Sequence, residues 1–537
     1  LPNLRPGVYD VKVTYVGYSP VTLRLTVPEG KTLERDIVMT EGVELRGVDV
    51  KGAFHGQSRA LNMQKNSMGV TNVVSSDQVG KFPDSNIGDA LKRISGINVQ
   101  YDMGEARFGQ VRGTSADLSS VTVNGNRLPS AEGGTRNVQL DLIPADMVQT
   151  IEVSKVSTAD MDGDAIGGAI NLVTKSTPYK RLFNATAGSG YNWVSGKAQL
   201  NLGLTYGDRF FGDRLGIMAA ASYQNAPGGA DNTEFEYDVD DDGNVFLNKA
   251  EVRQYYVTRE RQSYSLAADY KFNANHRISF KGIYNRRNDW ENRYRITYKK
   301  LGDEASKQSV VLQTKAGDGS NRDARLELQQ TMDFTFDGEH LFGALKTDWA
   351  VSFSRATEDR PEERYFGVEM KGKKNKDFFK DLSFIDAGGR TPYPSKGFGA
   401  IGDYSWSIDE LTNANENISE NEWKARLNFS LPLAGGLYGN KLRFGGKFTS
   451  KEKELDAHCY DYIEPYEEAY GDEWQGRMSN QIRSGFLAGS NRNAVHIEGL
   501  YRRSAVWRDA PRSRRTARKR LRKLQCHGAH QQRIHPF

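Results

Sequence analysis

"MDGDAIGGAINLVTK", residues 161–175, decides how this chain is read. Asp162 and Asp164 lead into the pair Gly167-Gly168, and the pair opens an alternating run from Ala169 through Ile170, Asn171 and Leu172 to Val173. Adjacent glycines adopt backbone shapes that other residues cannot, so the stretch predicts a tight bend pressed against a neighbour, followed by a strand. Working outward from that bend means finding the neighbour.

The chain has 537 residues, more than one hydrophobic core organises, so several domains are expected. It is rich in Gly (54), Tyr (25) and Phe (24), and it contains no apolar run long enough for a membrane helix. That excludes a helical membrane protein but not a barrel, whose strands alternate lipid-facing apolar with inward polar residues and pass unnoticed in a hydropathy window. Cys459 and Cys526 match no metal-ligand spacing. The formal charge of +5 misleads, because residues 501–537 hold 12 Lys/Arg and one acid, leaving 61 basic against 67 acidic residues elsewhere. The first residue is Leu and no leader is visible, which says nothing about a signal peptide.

Along the chain, residues 1–41 read as short alternating strands: Val8 to Tyr15, Val21 to Val27, and Leu33 to Met39, with Pro-Gly and Pro-Glu-Gly as turns. Residues 42–68 are polar and read as an exposed linker with one extended piece, Val43 to Lys51. Residues 69–178 are compact and mixed. Ile87, Ala90, Leu91 and Ile94 form one helical face, with Asp84 or Ser85 as N-cap and Gly96 as the stop. Strands are expected at Ile97 to Tyr101, Gly109 to Arg112 and Ser120 to Val123, the last entering an Asn124-Gly125 hairpin turn; Pro144 starts a helical turn, and Thr150 to Val156 alternates. From Tyr179 onward come segments of about ten alternating residues, the length of a tilted membrane-crossing strand. "HRISFKGIYNRR" and "NRYRITYKK" are two of them. Short connections such as "NAN" at 273–275 alternate with long polar ones at 224–251, 301–322 and 358–420, the two-rim pattern of an outer-membrane barrel.

Several blocks carry a resemblance: "NIGDALKRISGINVQ", "GQVRGTSADLSSVTVNGNRLP" and "LDLIPADMVQTIEVSKVSTADMDGDAIGGAINLVTK". Residues 69–178 resemble the plug of a TonB-dependent outer-membrane receptor, and residues 179–490 its barrel. "STADMDGDAIGGAINLVTK" is most similar to the branch associated with oligosaccharide uptake. "LRPGVYDVKVTYVGYSPVTLRLTV" resembles the end of a carboxypeptidase regulatory-like domain, a carbohydrate-binding-like sandwich. The implied fold is mainly β: a sandwich fragment, an α/β plug and an incomplete transmembrane antiparallel barrel. The resemblance implies energy-coupled uptake of an oligosaccharide, or next a ferric siderophore, with TonB and outer-membrane lipid as partners and the outer membrane of a Gram-negative bacterium as location. It assigns structural roles to Arg112, Gly113, Asn124, Gly125, Gly167 and Gly168, the last two placing plug backbone against the barrel wall. A secreted or periplasmic carbohydrate-binding module without transport is the alternative.

Three stretches are candidates for contact with a partner or ligand. "VELRGVDVKG" offers Val43, Leu45, Val48 and Val50 for capture by strand addition, where the family's TonB box would lie, although Arg46-Gly47 and Asp49 depart from its common form; an ordinary linker or last sandwich strand is the competing reading. "EYDVDDDGNVF" spaces Asp238, Asp240 and Asp242 like the start of a calcium loop, but position 12 is Lys249, so Ca²⁺ competes with a solvated acidic loop. The stretch 371–420 carries Phe398, Tyr404 and Trp406, whose rings suit either sugar stacking or packing of loop on loop. No catalytic constellation stands out, so no enzyme is expected. A barrel of this kind needs about 22 strands, and the Arg-rich residues 491–537 lose the alternation. The expectation is a truncated or frameshifted copy, with a nucleic-acid-binding or lipid-binding basic arm as the competing reading and no nucleic-acid partner.

Overall fold

The computed structural model describes residues 6–13, 21–28, 37, 55–67, 69–75, 86–102, 104–132, 134–156, 161, 163, 165–322, 324–385, 392–395, 404–433, 441–464 and 523–524. At the N-terminus β1 (Gly7–Val13) and β2 (Val21–Val27) form an antiparallel hairpin with Val11 facing Leu23. The expected strand from Leu33 to Met39 falls almost wholly outside the described residues.

The polar stretch 42–68 holds more than a linker. Helix α1 (His55–Asn66) covers part of it, buries Ala60 and accepts a hydrogen bond from Val73 N on Gln64 Oε1 at 3.4 Å. It has no broad apolar stripe, so periodicity did not disclose it. Next come β3 (Thr71–Ser75) and α2 (Ile87–Leu91). Here the cap is Asn86, whose side chain accepts from Asp89 N at 2.9 Å, rather than Asp84 or Ser85. Ile87, Ala90, Leu91 and Ile94 are buried as their spacing predicts.

Strands β4 (Ile97–Asp102) and β5 (Glu105–Val111) pair as a hairpin. Then β6 (Ser119–Val123), β7 (Asn126–Arg127), β8 (Val148–Ser154) and β9 (Gly168–Thr174) join β3 in a five-stranded sheet ordered β3-β8-β9-β6-β7. Strands β6 and β9 run parallel, Ser119 facing Gly168. One face of this sheet and α2 enclose a core of Val121, Leu140, Ile151, Ile170 and Leu172, which Ala220 and Ile283 of the following strands extend.

The rest is one large sheet, antiparallel throughout. Its strands are β10 (Leu182–Asn192), β11 (Lys197–Phe210), β12 (Leu215–Val239), β13 (Val245–Lys271), β14 (His276–Lys299), β15 (Ser309–Ala316), β16 (Arg325–Phe342) and β17 (Leu345–Lys371). A short helix α3 (Lys376–Lys380) and a small hairpin of β18 (Phe384–Ile385) and β19 (Tyr393–Pro394) precede β20 (Trp406–Pro432) and β21 (Lys441–Asp461). Within the basic tail, β22 (Lys523–Leu524) adds one short pairing on β21 at Cys459. Strands β15 and β16 act as one descending strand: Arg293 of β14 faces Lys315, Glu291 faces Arg325, and the residues between leave the sheet. In that excursion Arg322 lies over the Trp290 ring at 3.9 Å.

The strands are far longer than the ten-residue reading. Those at 276–287 and 292–300 are a single β14, and most of the supposed loops 224–251 and 358–420 is strand. At 27 residues, β13, β17 and β20 extend for about 90 Å against a hydrocarbon core of about 30 Å. Beyond the bilayer both faces of a strand meet polar surroundings. The hydrophobic alternation therefore fades although the hydrogen-bonded ladder continues.

Register separates the two faces. Leu266, Gly282, Phe334, Phe353 and Trp423 lie side by side, with Ala268, Phe280, Phe336, Val351 and Ala425 in the parallel row. Leu266, Phe334, Phe336, Val351 and Trp423 are exposed, forming an outward apolar belt. One residue out of phase, Ser263, Asn285, Thr331, Ala356 and Glu420 form an inward row that is buried. Among the described residues no helix is long and apolar enough to cross a membrane; the belt is carried by strands.

Candidate functional site

The inward face of the large sheet meets the mixed domain through charge. Arg259 and Arg261 sit two apart on β13, so both point inward. The β4–β5 turn, with Gly104 at φ 84°, brings Glu105 between them. Arg259 Nη1 reaches Glu105 Oε2 at 2.9 Å, Arg261 pairs with the same carboxylate, and Arg259 Nε donates to Asp289 Oδ2 at 2.9 Å. Burial pushes the Glu105 carboxyl up, but the guanidinium groups of Arg261 and Arg259 outweigh it and hold the group down to about 2.

A second contact joins Arg287 of β14 to Asp141 of the mixed domain, with Glu327 of β16 on its other side at 2.8 Å. Arg107 of β5 faces Asp102, Glu132 and, at 3.5 Å, Glu327. Lys453 of β21 donates to the carbonyls of Ser130, Glu132 and Thr135 at 3.3, 2.6 and 3.3 Å. Asn126 Nδ2 donates to Thr335 Oγ1 of β16 at 2.6 Å. Those of these contacts that join the mixed domain to the large sheet link residues about 150 to 320 positions apart, so no local motif could have disclosed them. The available signal was a pair of arginines at alternate positions inside a strand.

The residues singled out in the sequence take structural places. Asn124 (φ 52°) and Gly125 (φ 82°) form the β6–β7 turn; Asn124 Nδ2 donates to Thr174 Oγ1 at 3.0 Å, and Gly125 N donates to Asn171 Oδ1 at 2.9 Å. Arg112 and Gly113 have φ 57° and 74°, and Arg112 Nη2 donates to Gly167 O at 3.3 Å. For Gly167 and Gly168 the expected neighbour was the barrel wall, and the structure corrects this. A side chain on Gly167 would strike Thr114, and one on Gly168, at φ 146°, would lie 2.6 Å from Val111 and 2.8 Å from Ser154 O. The glycine pair therefore fits β9 between β8 and β6 inside the mixed domain. The handover to the large sheet comes later, where Thr177 bonds Asp269.

Toward the far end of the sheet a second apolar cluster gathers Val252, Tyr298, Leu312, Phe366, Phe378, Phe379 and Trp406. Trp406 is buried in it, and Tyr404 meets Phe378 edge to face at 5.5 Å, so both rings help pack α3 onto the strands. Phe398 lies outside the described residues, as do Val43, Leu45, Val48, Asp49 and Val50. At the β12–β13 tip Asp240 accepts from Asp242 N, Asn244 N and Asn244 Nδ2 at 3.0, 2.8 and 3.0 Å, which lowers its pKa, while Asp238 accepts from Asn248. The Asp240 carboxylate thus closes the turn itself. Among the described residues no group of three or more His, Cys, Asp or Glu is placed to hold a metal ion, so the calcium reading finds no geometric support there.

A hydrogen-bonded domain lodged on the inward, charged face of a lipid-belted sheet calls for comparison with known proteins. Residues 63–169 match the family model of the TonB-dependent Receptor Plug Domain. The chain carries a TonB-dependent receptor plug. The curated Vitamin B12 transporter BtuB of Photobacterium profundum is 32% identical over 128 residues, 24% of this chain and 21% of that protein. The chain therefore spans about a fifth of the length of that relative. Among solved structures, the ferric citrate transporter FecA in its unliganded form covers 78% of this chain and 64% of its own at 13% identity and TM-score 0.33. FpvA of P. aeruginosa bound to heterologous pyoverdines covers 74% and 54% at 11% identity and TM-score 0.37.

Proposed function

We propose that the chain serves energy-coupled uptake of a nutrient across the outer membrane, with an oligosaccharide ahead of a ferric siderophore as cargo. TonB would take hold of the segment Val43 to Lys51. The observation that carries this reading is the way the plug is seated. Its interior is apolar, while most of its contacts with the wall are ion pairs and single hydrogen bonds, led by Glu105 on Arg259 and Arg261 and Asp141 on Arg287, with Ala220 and Ile283 as small apolar contacts beside them. Directional polar contacts can be broken and remade in a wet lumen, whereas a continuous apolar interface would weld plug to wall. A plug that must give way to cargo and return needs the first kind. The oligosaccharide preference rests on the form of "STADMDGDAIGGAINLVTK"; vitamin B12 and iron chelates are what the named relatives handle.

The test is retention of the full-length chain, in detergent micelles, by the C-terminal domain of TonB, with Val48→Pro alongside. Proline removes a backbone donor, so strand addition through this segment should be lost in the variant and present in the parent. A parent chain that TonB does not retain would sink the coupling reading.

A further inference from the structure

The link from plug to wall, residues 175–181 between β9 and β10, is tied down at nearly every position. Lys175 Nζ donates to Thr205 Oγ1 of β11 at 3.1 Å, and Ser176 N and Oγ donate to Gln149 Oε1 of β8 at 3.2 and 2.9 Å. Thr177 Oγ1 donates to Asp269 of β13, and the Pro178 carbonyl accepts from Arg209 Nη1 at 3.3 Å. The Lys271 ammonium lies 5.6 Å from the Tyr179 ring centroid, and Arg181 Nε meets Asp208 Oδ2 at 2.7 Å. Simple continuity of the chain calls for none of these ties.

At the centre of these ties is a slot made by a missing side chain. The register sets Arg209 opposite Gly216 and Gly216 opposite Asp269, so Arg209 and Asp269 are second neighbours about 10 Å apart across the sheet. The Arg209 side chain crosses over the bare Gly216 backbone and meets Asp269 as a fork, Nη2 to Oδ2 at 2.8 Å and Nη1 to Oδ1 at 3.2 Å. Both side chains are buried. A Cβ on Gly216 would lie 2.5 Å from Asp269 Oδ1, 2.7 Å from Arg209 Nη1 and 2.9 Å from Thr177 Cβ. A Cβ on Gly207, two residues before Arg209, would lie 2.8 Å from Pro178 Cγ. Thr177 and Pro178 therefore fill a recess that only glycines on the wall leave open.

We propose that Arg209, Gly216 and Asp269 form a socket that fixes Thr177 and Pro178 to the wall and makes this end of the plug its pivot. Any movement of the plug is then a swing about the socket, growing toward the β4–β5 hairpin, and not a shift of the whole domain along the lumen. The physical reason is a difference in grip. Glu105 and Asp141 hold the plug by single side chains, which let go by changing rotamer. The socket grips main chain: the Pro178 carbonyl is bonded, the proline ring fixes φ, and the buried ion pair that accepts Thr177 is already satisfied as a fork. Arg209, Gly216 and Asp269 are positioning residues in this scheme. It uses only the place of the plug against the wall and does not depend on the cargo or on TonB.

The experiment measures two distances by paired nitroxide labels on the full chain in detergent, with Cys459→Ser and Cys526→Ser removing the native thiols. Both pairs share a wall label at Ala274, in the exposed turn between β13 and β14. One partner is Thr150, opposite Val173 near the socket, and the other is Gln100, exposed on β4 of the hairpin. Each pair is measured in the parent, in Glu105→Ala, which cuts the seat, and in Glu105→Ala combined with Gly216→Val, which fills the slot. Protection of the β9 amides is checked in each protein, and Thr177→Val, which removes one donor at nearly constant volume, replaces Gly216→Val if the latter unfolds. The expected result is that Glu105→Ala shifts and broadens the 100–274 distance and leaves 150–274 as in the parent, and that the added socket substitution broadens 150–274 as well. Both distances broadening together in Glu105→Ala alone would overturn the pivot, because the plug would then move as a whole. A 100–274 distance unchanged in Glu105→Ala would overturn the swing, and a 150–274 distance still narrow after the socket substitution would overturn the socket.

Discussion

The inside of the plug and its outside are made of opposite materials. Ile87, Leu91, Leu140, Ile151, Ile170 and Leu172 are fully enclosed within it, held by non-directional burial that scales with area. Its polar outer contacts are Glu105, Asp141, Arg107 and Asn126, each aimed at one or two partners on the wall, and among the described residues only Ala220 and Ile283 of the wall reach its apolar cluster. The difference teaches that cohesion and attachment are separable here. One substitution can loosen the seat while the plug stays folded, and another can soften the plug while its seat keeps its pairs.

The largest expected effect is on attachment. Glu105→Ala leaves Arg259 and Arg261 buried without their carboxylate and should cost about 3–5 kcal/mol locally. Hydrogen exchange of the β4–β5 hairpin should rise strongly while the amides of β9 remain protected. Equal loss of protection in both would erase the distinction between seat and core. Next comes acidity. Because the Glu105 carboxyl is held at about 2 instead of 4.5, its contribution of about 3 kcal/mol is fully present above pH 4.5 and disappears as pH falls toward 2. Melting curves between about pH 6 and 3 should show this step in the parent and not in Glu105→Gln; an identical profile in both would assign the acid sensitivity elsewhere. The smallest effect is on cohesion: Ile170→Val removes one methylene from the core and should cost about 0.5–1.5 kcal/mol of plug stability without altering hairpin exchange.

How much of this could be read in the chain depends on the range of the interactions. The alternation from Ala169 to Val173, the Asn124-Gly125 turn and the apolar face of Ile87, Ala90 and Leu91 are local, and they appear as β9, the β6–β7 turn and α2. The glycine pair was legible as a close approach, but its neighbours Val111 and Ser154 come from elsewhere in the plug, and sequence adjacency pointed to the wall instead. Strand length was illegible where "EVRQYYVTRERQ" leaves the lipid, because hydrophobic period marks a strand only where one face meets oil. The partners of Glu105 and Asp141 were illegible for a different reason: each lies about 150 residues away, and pairing at that range is set by the closing of the fold rather than by spacing.

The edge of the plug sheet has a mechanical meaning. Strand β3 stands at the end of the order β3-β8-β9-β6-β7, five residues long, and is the first strand of the plug that tension entering from the N-terminal side would reach. Among the described residues it pairs with a single strand, β8, from Thr71 on Ser154 to Ser75 on Thr150, and is otherwise touched by Gln64 of α1, whereas β9 is clamped by strands on both sides. A pull would therefore peel β3 like the first tooth of a zip before any load reached the parallel pair of β6 and β9. Under such a pull the strand would work as a fuse, setting how much of the plug yields before the remainder must move as one body.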